Sequence, residues 1–390
     1  MTNYDVYAGV DVGKSFHWIY ATDADGKRII SRKINQNETE LQEMFTSLRA
    51  GERNVLVVVD QPKNIGALTL ACAKQAGCHT MFLPGLAMRR AAGILPGEAK
   101  TDARDAEVIS MAARQIPASL RPVSTADPER AELDALVAWD SDVVHDRTRE
   151  INRLRGLLVE VNPHFEAAID DLTSPFILAI IQRFGGPWGM RTAGKTKIRA
   201  WASRQKHVPA ATLETLIETA WTMENKPPGT TTREAGPIPA AAARISELTT
   251  IRDNIETQIS QRMENNITYQ MLMTMPGVGI HTASSLVTLV DITLFKNADH
   301  LASYAGIAPK THDSGTSIKG ETASRAGNKA LKNTLFMSAF TSLKADPKSR
   351  AYYDTKRAAG KKHNTAVLSL ARRRIKIMYA IMRDNTPYHT

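Results

Sequence analysis

Long apolar runs are missing from this chain. No stretch approaches the ~20 residues that a bilayer-crossing helix needs. The opening residues, Met1-Thr2-Asn3-Tyr4-Asp5, lack the charged-then-apolar layout of an export signal. No membrane partner is expected, and the expected location is cytoplasmic. Cysteine is nearly missing too. Cys72 and Cys78 are the only two, with no further Cys or His pair at zinc spacing, so neither a disulfide framework nor a zinc site is expected. Acidic residues are scarce at one end: Leu301–Thr390 holds 17 Lys and Arg against 5 Asp and Glu, leaving 33 and 35 in the first 300 residues. The basic excess is therefore wholly C-terminal. Such a surface binds polyanions by releasing their counterions, which points to nucleic acid more than to a merely solubilising face.

What is present suits a soluble globular chain. At 390 residues and 43% apolar content it can bury real cores, and its length favours two or three domains. Asp5 to Val12, Phe16 to Ala21 and Arg28 to Ile34 read as a three-strand meander, with Asp23-Ala24-Asp25-Gly26 as turn chemistry. Asn37 with Glu40 resembles a capping box opening a helix to about Leu48. A buried-type strand over Asn54 to Asp60, a helix over Asn64 to Ala76, a strand over His79 to Leu83 and a helix from Asp102 follow. Three strands and then alternation give the order of a ribonuclease-H-like α/β domain.

Beyond Asp127 the pattern becomes helical. Val137, Val144, Ile151 and Leu158 recur every seven residues, which suggests a coiled-coil helix to about Val161. A second long helix over Ile238 to Asn266, with Ile245, Leu248, Ile255 and Ile259 on one face, is expected to pack antiparallel to the first. The seam is also a candidate for pairing protomers, with an intramolecular hairpin as the alternative. Between the two helices, 163–236 reads as a helical insert with an irregular loop at Lys226–Thr232. The expected division is 1–120 for the α/β domain, 121–268 for the helical region and 269–390 for a basic domain.

Four carboxylates occupy landmarks in this reading. Asp11 ends the first strand, Asp60 ends the fourth, and Asp102 and Asp105 lie one turn apart at a helix start. Strand C-termini open onto the ligand crevice of an α/β sheet, so these positions can converge. Crowded carboxylates favour hard cations such as Mg2+, which can stabilise both sides of a phosphoryl displacement. Taken singly, each acid also fits a turn or an N-cap.

In the C-terminal third, Pro276-Gly277-Val278-Gly279 between two helices fits a helix-hairpin-helix element. There Gly277 and Gly279 would let backbone N–H groups approach a phosphate. A plain tight turn is the alternative. Asp313-Ser314-Gly315 follows in what reads as a small polar loop. Ser314 could meet a phosphate there while Lys319, Arg325 and Lys329 offset developing charge. Arg372, Arg373 and Arg374 read as backbone-binding surface.

Gly9-Val10-Asp11-Val12-Gly13-Lys14, the acid at 60, Lys100-Thr101-Asp102-Ala103-Arg104-Asp105-Ala106, the hairpin, Tyr304-Ala305-Gly306-Ile307-Ala308-Pro309, Asp313-Ser314-Gly315 and Ala326-Gly327-Asn328 occur in order. Together they resemble the DEDD transposases of insertion sequences (insertion-sequence family one-hundred-ten), bridge-RNA-guided serine recombinases related to Piv-type DNA invertases. The resemblance covers roughly 1–120 and 265–385. It implies a RuvC-like domain, coiled-coil helices and a mostly helical transposase domain. Asp11, Asp60, Asp102 and Asp105 would hold Mg2+, and Ser314 would form a covalent 5′-phosphoserine link to DNA. The implied partners are donor and target DNA, a structured guide RNA and further copies of the chain, as a dimer or a synaptic tetramer. One departure is Asp60, where the pattern usually has Glu. The alternative function is a metal-dependent nuclease or Holliday-junction resolvase that uses water as nucleophile.

Overall fold

Val55–Val59 is apolar at every position, so this strand needs cover on both faces. The computed structural model supplies it. The described residues are 3–94, 101–123, 128–314, 318–323 and 327–389, with backbone alone for Pro128, 309–314 and 318–323. The chain divides into two units, Met1–Asp127 and Pro128–Thr390. The first runs β1 (Val6–Asp11), β2 (Phe16–Asp23), β3 (Arg28–Asn35), α1 (Glu38–Leu48), β4 (Val55–Val59), α2 (Ala67–Gln75), β5 (His79–Phe82), α3 (Gly85–Ala92), α4 (Asp102–Gln115) and β6 (Arg121–Pro122). Its sheet has the order β3-β2-β1-β4-β5-β6, with β1, β4 and β5 mutually parallel and the others antiparallel. Alternation decides the layers. Val55, Val57 and Val59 join Leu41, Phe45, Leu70 and Ala73 on one face, and Leu56 and Val58 join Val108, Ile109 and Ala112 on the other.

The meander and the β/α alternation match the sequence reading. Asn37 caps α1 through the N–H of Glu40, while the Glu40 carboxylate turns back to the Asn35 backbone N–H rather than that of Asn37. Helix α3 and the two-residue β6 were not anticipated, since Gly85–Ala92 is short and buries Ala91 alone and β6 contains Pro122.

The second unit starts with α5 (Pro128–Val161). Short helices follow: α6 (Pro163–Ala167), α7 (Pro175–Phe184), α8 (Pro187–Ala193), α9 (Lys195–Ala202), α10 (Ala210–Ala220) and α11 (Thr230–Ala235). The chain continues through α12 (Pro237–Met263), α13 (Ile267–Met273), α14 (Ile280–Leu289), α15 (Ala298–Tyr304), β7 (Pro309–Ser314), β8 (Ile318–Ala323), α16 (Lys329–Ala345), α17 (Pro347–Ala358) and α18 (His363–Asp384). Among the described residues no helix is long and apolar enough to cross a membrane.

Helices α5 and α12 pack antiparallel, as Glu132–Arg262, Asp140–Arg252 and Glu150–Arg244 ion pairs record along their length. The Val137, Val144, Ile151 and Leu158 seam is therefore used inside the chain. Val137, Ile151 and Leu158 join the chain's own cores, while Val144 is half-buried outside them. One end of this hairpin enters a core with the insert helices, through Leu154, Leu158, Ile238 and Ile245. The other enters a second core with α13–α18, through Leu133, Ile255 and Ile259. Two further readings change. Within Lys226–Thr232, Thr230 already begins α11. The Asp313–Gly320 segment is not a plain loop: β7 and β8 form an antiparallel ribbon whose tip, 315–317, lies outside the described residues.

Candidate active site

Backbone order puts Asp11 and Asp60 side by side and runs α4 along the same strand. Strands β1 and β4 are parallel with Val10 opposite Val59, so Asp11 and Asp60 follow at adjacent strand ends. Helix α4 crosses β1 closely: Ser110 Oγ donates to the Tyr7 carbonyl at 2.8 Å. A Cβ on Gly9 would lie 2.3 Å from the Ala106 carbonyl oxygen, so only glycine allows this approach. Two strand residues advance about 6.6 Å, which is some four residues of helix. By that step, the Asp102–Asp105 turn is expected near the Asp11 end of β1, as Ala106–Ser110 lies opposite Gly9. Thr101 caps α4, its hydroxyl accepting from the Arg104 N–H at 3.3 Å.

The side chains differ in surroundings. Asp60 is half-buried, and its Oδ1 is buried with no hydrogen-bond partner. Burial pushes its carboxyl up, against lowering contacts from the backbone N–H groups of Val12, Asp60 and Gln61 and the Gln61 side chain. Asp11 and Asp105 are half-buried and Asp102 is exposed. Among the described residues no three His, Cys, Asp or Glu side chains are arranged to hold a metal ion. The corner's donors nonetheless fit a hard cation. They are all carboxylate oxygens, and among the described residues no hydrogen-bond donor is aligned on Asp60 Oδ1.

The turn after Asp11 rests on a group that sequence reasoning missed. His17 is fully buried on β2. Its Nδ1 accepts from the Gly13 N–H at 3.2 Å, and its Nε2 meets Gln36 Oε1 and Thr69 Oγ1. Burial holds this imidazole below its ordinary pKa, against the Gln36 hydrogen bond, so it is a neutral strut. The available signal was a histidine on the inward-facing positions of an alternating strand.

In the second unit, Gly277 has φ +77°, and a Cβ there would fall 2.7 Å from the backbone of Ser342. Its missing side chain is thus explained by packing on α16, whereas a Cβ at Gly279 would meet open space. Arg374, expected at a DNA-binding surface, is only 3% exposed. It donates to the Pro276 carbonyl at 2.5 Å and to Ser338 Oγ at 3.3 Å, while Ser338 Oγ donates to the Gly277 carbonyl at 3.0 Å. Burial lowers its guanidinium to about 10, against the Asp346 carboxylate. Arg374 is a buried support of the hairpin, because α18 turns it inward with Leu370 and Met378. Arg373 is exposed over the Tyr352 ring at 5.1 Å, Arg372 is half-buried and Lys329 is exposed.

His281, two residues past the hairpin, ties it to the long helices. Its Nε2 meets Glu256 of α12, and its Nδ1 lies 2.6 Å from Asp140 of α5 without the alignment of a hydrogen bond. Burial opposes the charged form, but Asp140 and Glu256 together outweigh it and raise the imidazole above its ordinary value.

The Tyr304-Ala305-Gly306 and Gly327-Asn328-Lys329 motifs meet at the base of the ribbon. The Asn328 N–H donates to the Tyr304 carbonyl at 2.8 Å, and a Cβ on Gly327 would lie 2.5 Å from the Gly306 nitrogen. Ser314 ends β7 opposite Ile318, and Lys319 pairs in register with Asp313. Their side chains, and all of Arg325, lie outside what is described.

A mixed sheet with two of its three parallel strands ending in carboxylates, followed by a basic helical unit, is an arrangement suited to cutting nucleic acid. Residues 8–163 match the DEDD transposases of IS110, and 269–354 match the transposase family IS116/IS110/IS902. The chain is 41% identical to the 43.6 kDa protein of insertion element IS110 from Streptomyces coelicolor, over 99% of this chain and 96% of that one. It is 31% identical to the 42 kDa protein of IS900 from Mycobacterium paratuberculosis, over 98% and 97% of the two chains. Over 128 residues, 32% of this chain and 40% of the relative, it is 35% identical to the pilin gene-inverting protein of Moraxella lacunata. The chain belongs to the IS110/IS116/IS902 family of insertion-sequence transposases, which are DNA-cutting recombination enzymes.

Proposed function

We propose that this transposase cuts and rejoins DNA through a covalent 5′-phosphoserine at Ser314, supported by a magnesium-binding carboxylate corner in a RuvC-like unit. The observation that carries the reading is the corner itself, with Asp11 and Asp60 at adjacent strand ends, the Asp102–Asp105 turn beside them, and one buried oxygen of Asp60 unsatisfied.

In this scheme Ser314 Oγ bonds to a DNA phosphorus and the 3′ oxygen leaves, taking up the proton the serine loses. A second strand's 3′ hydroxyl then attacks that phosphorus, forming the new phosphodiester and returning the proton to Ser314. Asp11, Asp60, Asp102 and Asp105 would hold the cations, which when bound neutralise charge on the attacking and leaving oxygens. Lys319, Arg325 and Lys329 would offset phosphate charge, and Gly279, Arg372 and Arg373 would contact backbone. A structured guide RNA would choose the sites, as the family resemblance implies, in an assembly of several copies.

Denaturing electrophoresis of the full chain with labelled donor DNA tests the nucleophile. A protein-linked DNA species is expected from the wild type and not from Ser314→Ala, with nucleic-acid binding retained. An adduct persisting in that variant overturns the assignment, and a phosphotyrosine found by mass spectrometry would transfer it to Tyr352 or Tyr353. Asp60→Glu should be tolerated if that corner binds metal. Mixing inactive Asp11→Asn with inactive Ser314→Ala chains should recover activity if copies share sites.

A further inference from the structure

The insert contains no acidic residue from Leu172 to Leu213, yet it carries Arg183, Arg191, Lys195, Lys197, Arg199, Arg204 and Lys206. Helix α9 organises these charges. Ile198 and Ala202 are buried in the insert core and Trp201 is partly buried beside them, which fixes the inward side. At about 100° per residue, Thr196, Ala200 and Ser203 form the middle of the outward side. Lys195 and Arg199 then line one edge, Lys197 the other with Arg204 in the turn that follows the helix, and these residues are exposed. Arg199 is held in place by a two-point contact with Glu214 at 2.6 and 2.9 Å, which offsets one of the two charges in that row, and Lys195 lies over the Trp221 ring at 5.1 Å. Gly194, which separates α9 from α8, adopts φ +86° with open space where a Cβ would stand.

A strip of small residues between two cationic rows lets a helix approach a polyanion closely while each row meets a separate phosphate wall. We propose that α9 is a duplex-DNA docking element that enters the major groove. The groove is about 12 Å wide, against a helix about 10–12 Å across with its side chains. Duplex RNA is the poorer fit, since its major groove is too narrow and deep for a helix. This surface is built on the insert core and is separate from the hairpin and the ribbon, which stand on the other core. The proposal rests on the chain acting on DNA and adds a second contact surface to the hairpin.

The test is fluorescence anisotropy of the full chain with a labelled random-sequence DNA duplex and the matching RNA duplex, across a salt series. Lys197→Glu combined with Arg204→Glu should weaken DNA binding at least roughly tenfold. It should make the log–log salt slope shallower by about 1.8, because each lost phosphate contact removes about 0.9. Ala200→Trp fills the strip and should weaken DNA binding with the slope unchanged. RNA affinity should stay at the wild-type value in both variants, and both should melt as the wild type does. Wild-type DNA affinity and slope in the double variant overturn the proposal, as does unchanged binding by Ala200→Trp or an equal loss on the RNA duplex. A wild-type chain that binds no DNA duplex overturns this inference and the DNA-contact part of the proposed function together. Loss of the α9 contact alone, with wild-type adduct formation at Ser314, would leave the proposed chemistry standing.

Discussion

In the N-terminal unit the residues singled out for chemistry stand where backbone order puts them, whereas in the C-terminal unit three consecutive arginines enter three different surroundings. Parallel pairing in register turns two strand-end acids into spatial neighbours, and a glycine contact brings the third element alongside. On α18 the same kind of side chain is half-buried at 372, exposed at 373 and buried at 374. A helix turns about 100° per residue, so neighbours in sequence face different sides. Strand ends can therefore be read from order alone, while a charge run on a helix needs its inward side identified first.

The largest effect should come from the acids. If the proposed metal corner holds, Asp11→Asn or Asp102→Asn should reduce DNA cleavage about 10³-fold, the equivalent of several kcal/mol of lost transition-state stabilisation. Excess chelator should do the same to the wild type. Full activity in Asp102→Asn would remove the exposed acid from the corner and break the comparison.

Arg374→Met comes next. It removes a buried cation that supports the Pro276 carbonyl directly and the Gly277 carbonyl through Ser338, and urea unfolding should show a loss of about 2–4 kcal/mol. A value near zero would mean that the hairpin holds its shape without the guanidinium.

Gly9→Ala should cost about 1–3 kcal/mol by forcing α4 away from β1, and cleavage should fall with it as the Asp102–Asp105 turn moves off. Thermal melting read beside the cleavage assay separates the two. Lowered melting with full cleavage would show that the acids do not depend on this contact.

His281→Gln tests the tie between hairpin and long helices, at about 1 kcal/mol. A histidine with its folded pKa raised stabilises fully below its unfolded value of 6.5 and loses that contribution as pH rises through the folded value. Wild-type stability should thus decline relative to the variant as pH climbs above about 6.5. Parallel pH profiles would remove the imidazolium from the account.

The smallest stability effect belongs to Arg373→Ala, within about 0.5 kcal/mol of wild type. Its DNA-binding salt slope should nonetheless become shallower by about 0.9. The contrast with Arg374 is the sharpest available check, since the two residues are adjacent in the chain.

Much of the architecture was legible because periodicity reports burial. Short apolar, β-rich runs located β1 to β5, and the seven-residue recurrence located α5. Asp11, Asp60 and Asp102 were legible because strand ends and caps have local signatures. The sequence by itself determined these elements, the C-terminal basic excess and the order of the motifs, all of which follow from local propensity and composition. Tertiary structure decided which partner each face meets. It packed α5 against the chain's own α12, turned Arg374 inward, set His17 beneath the Asp11 turn and placed His281 between Asp140 and Glu256. Those outcomes depend on residues far apart in the chain, and only packing in three dimensions brings such groups within reach of one another.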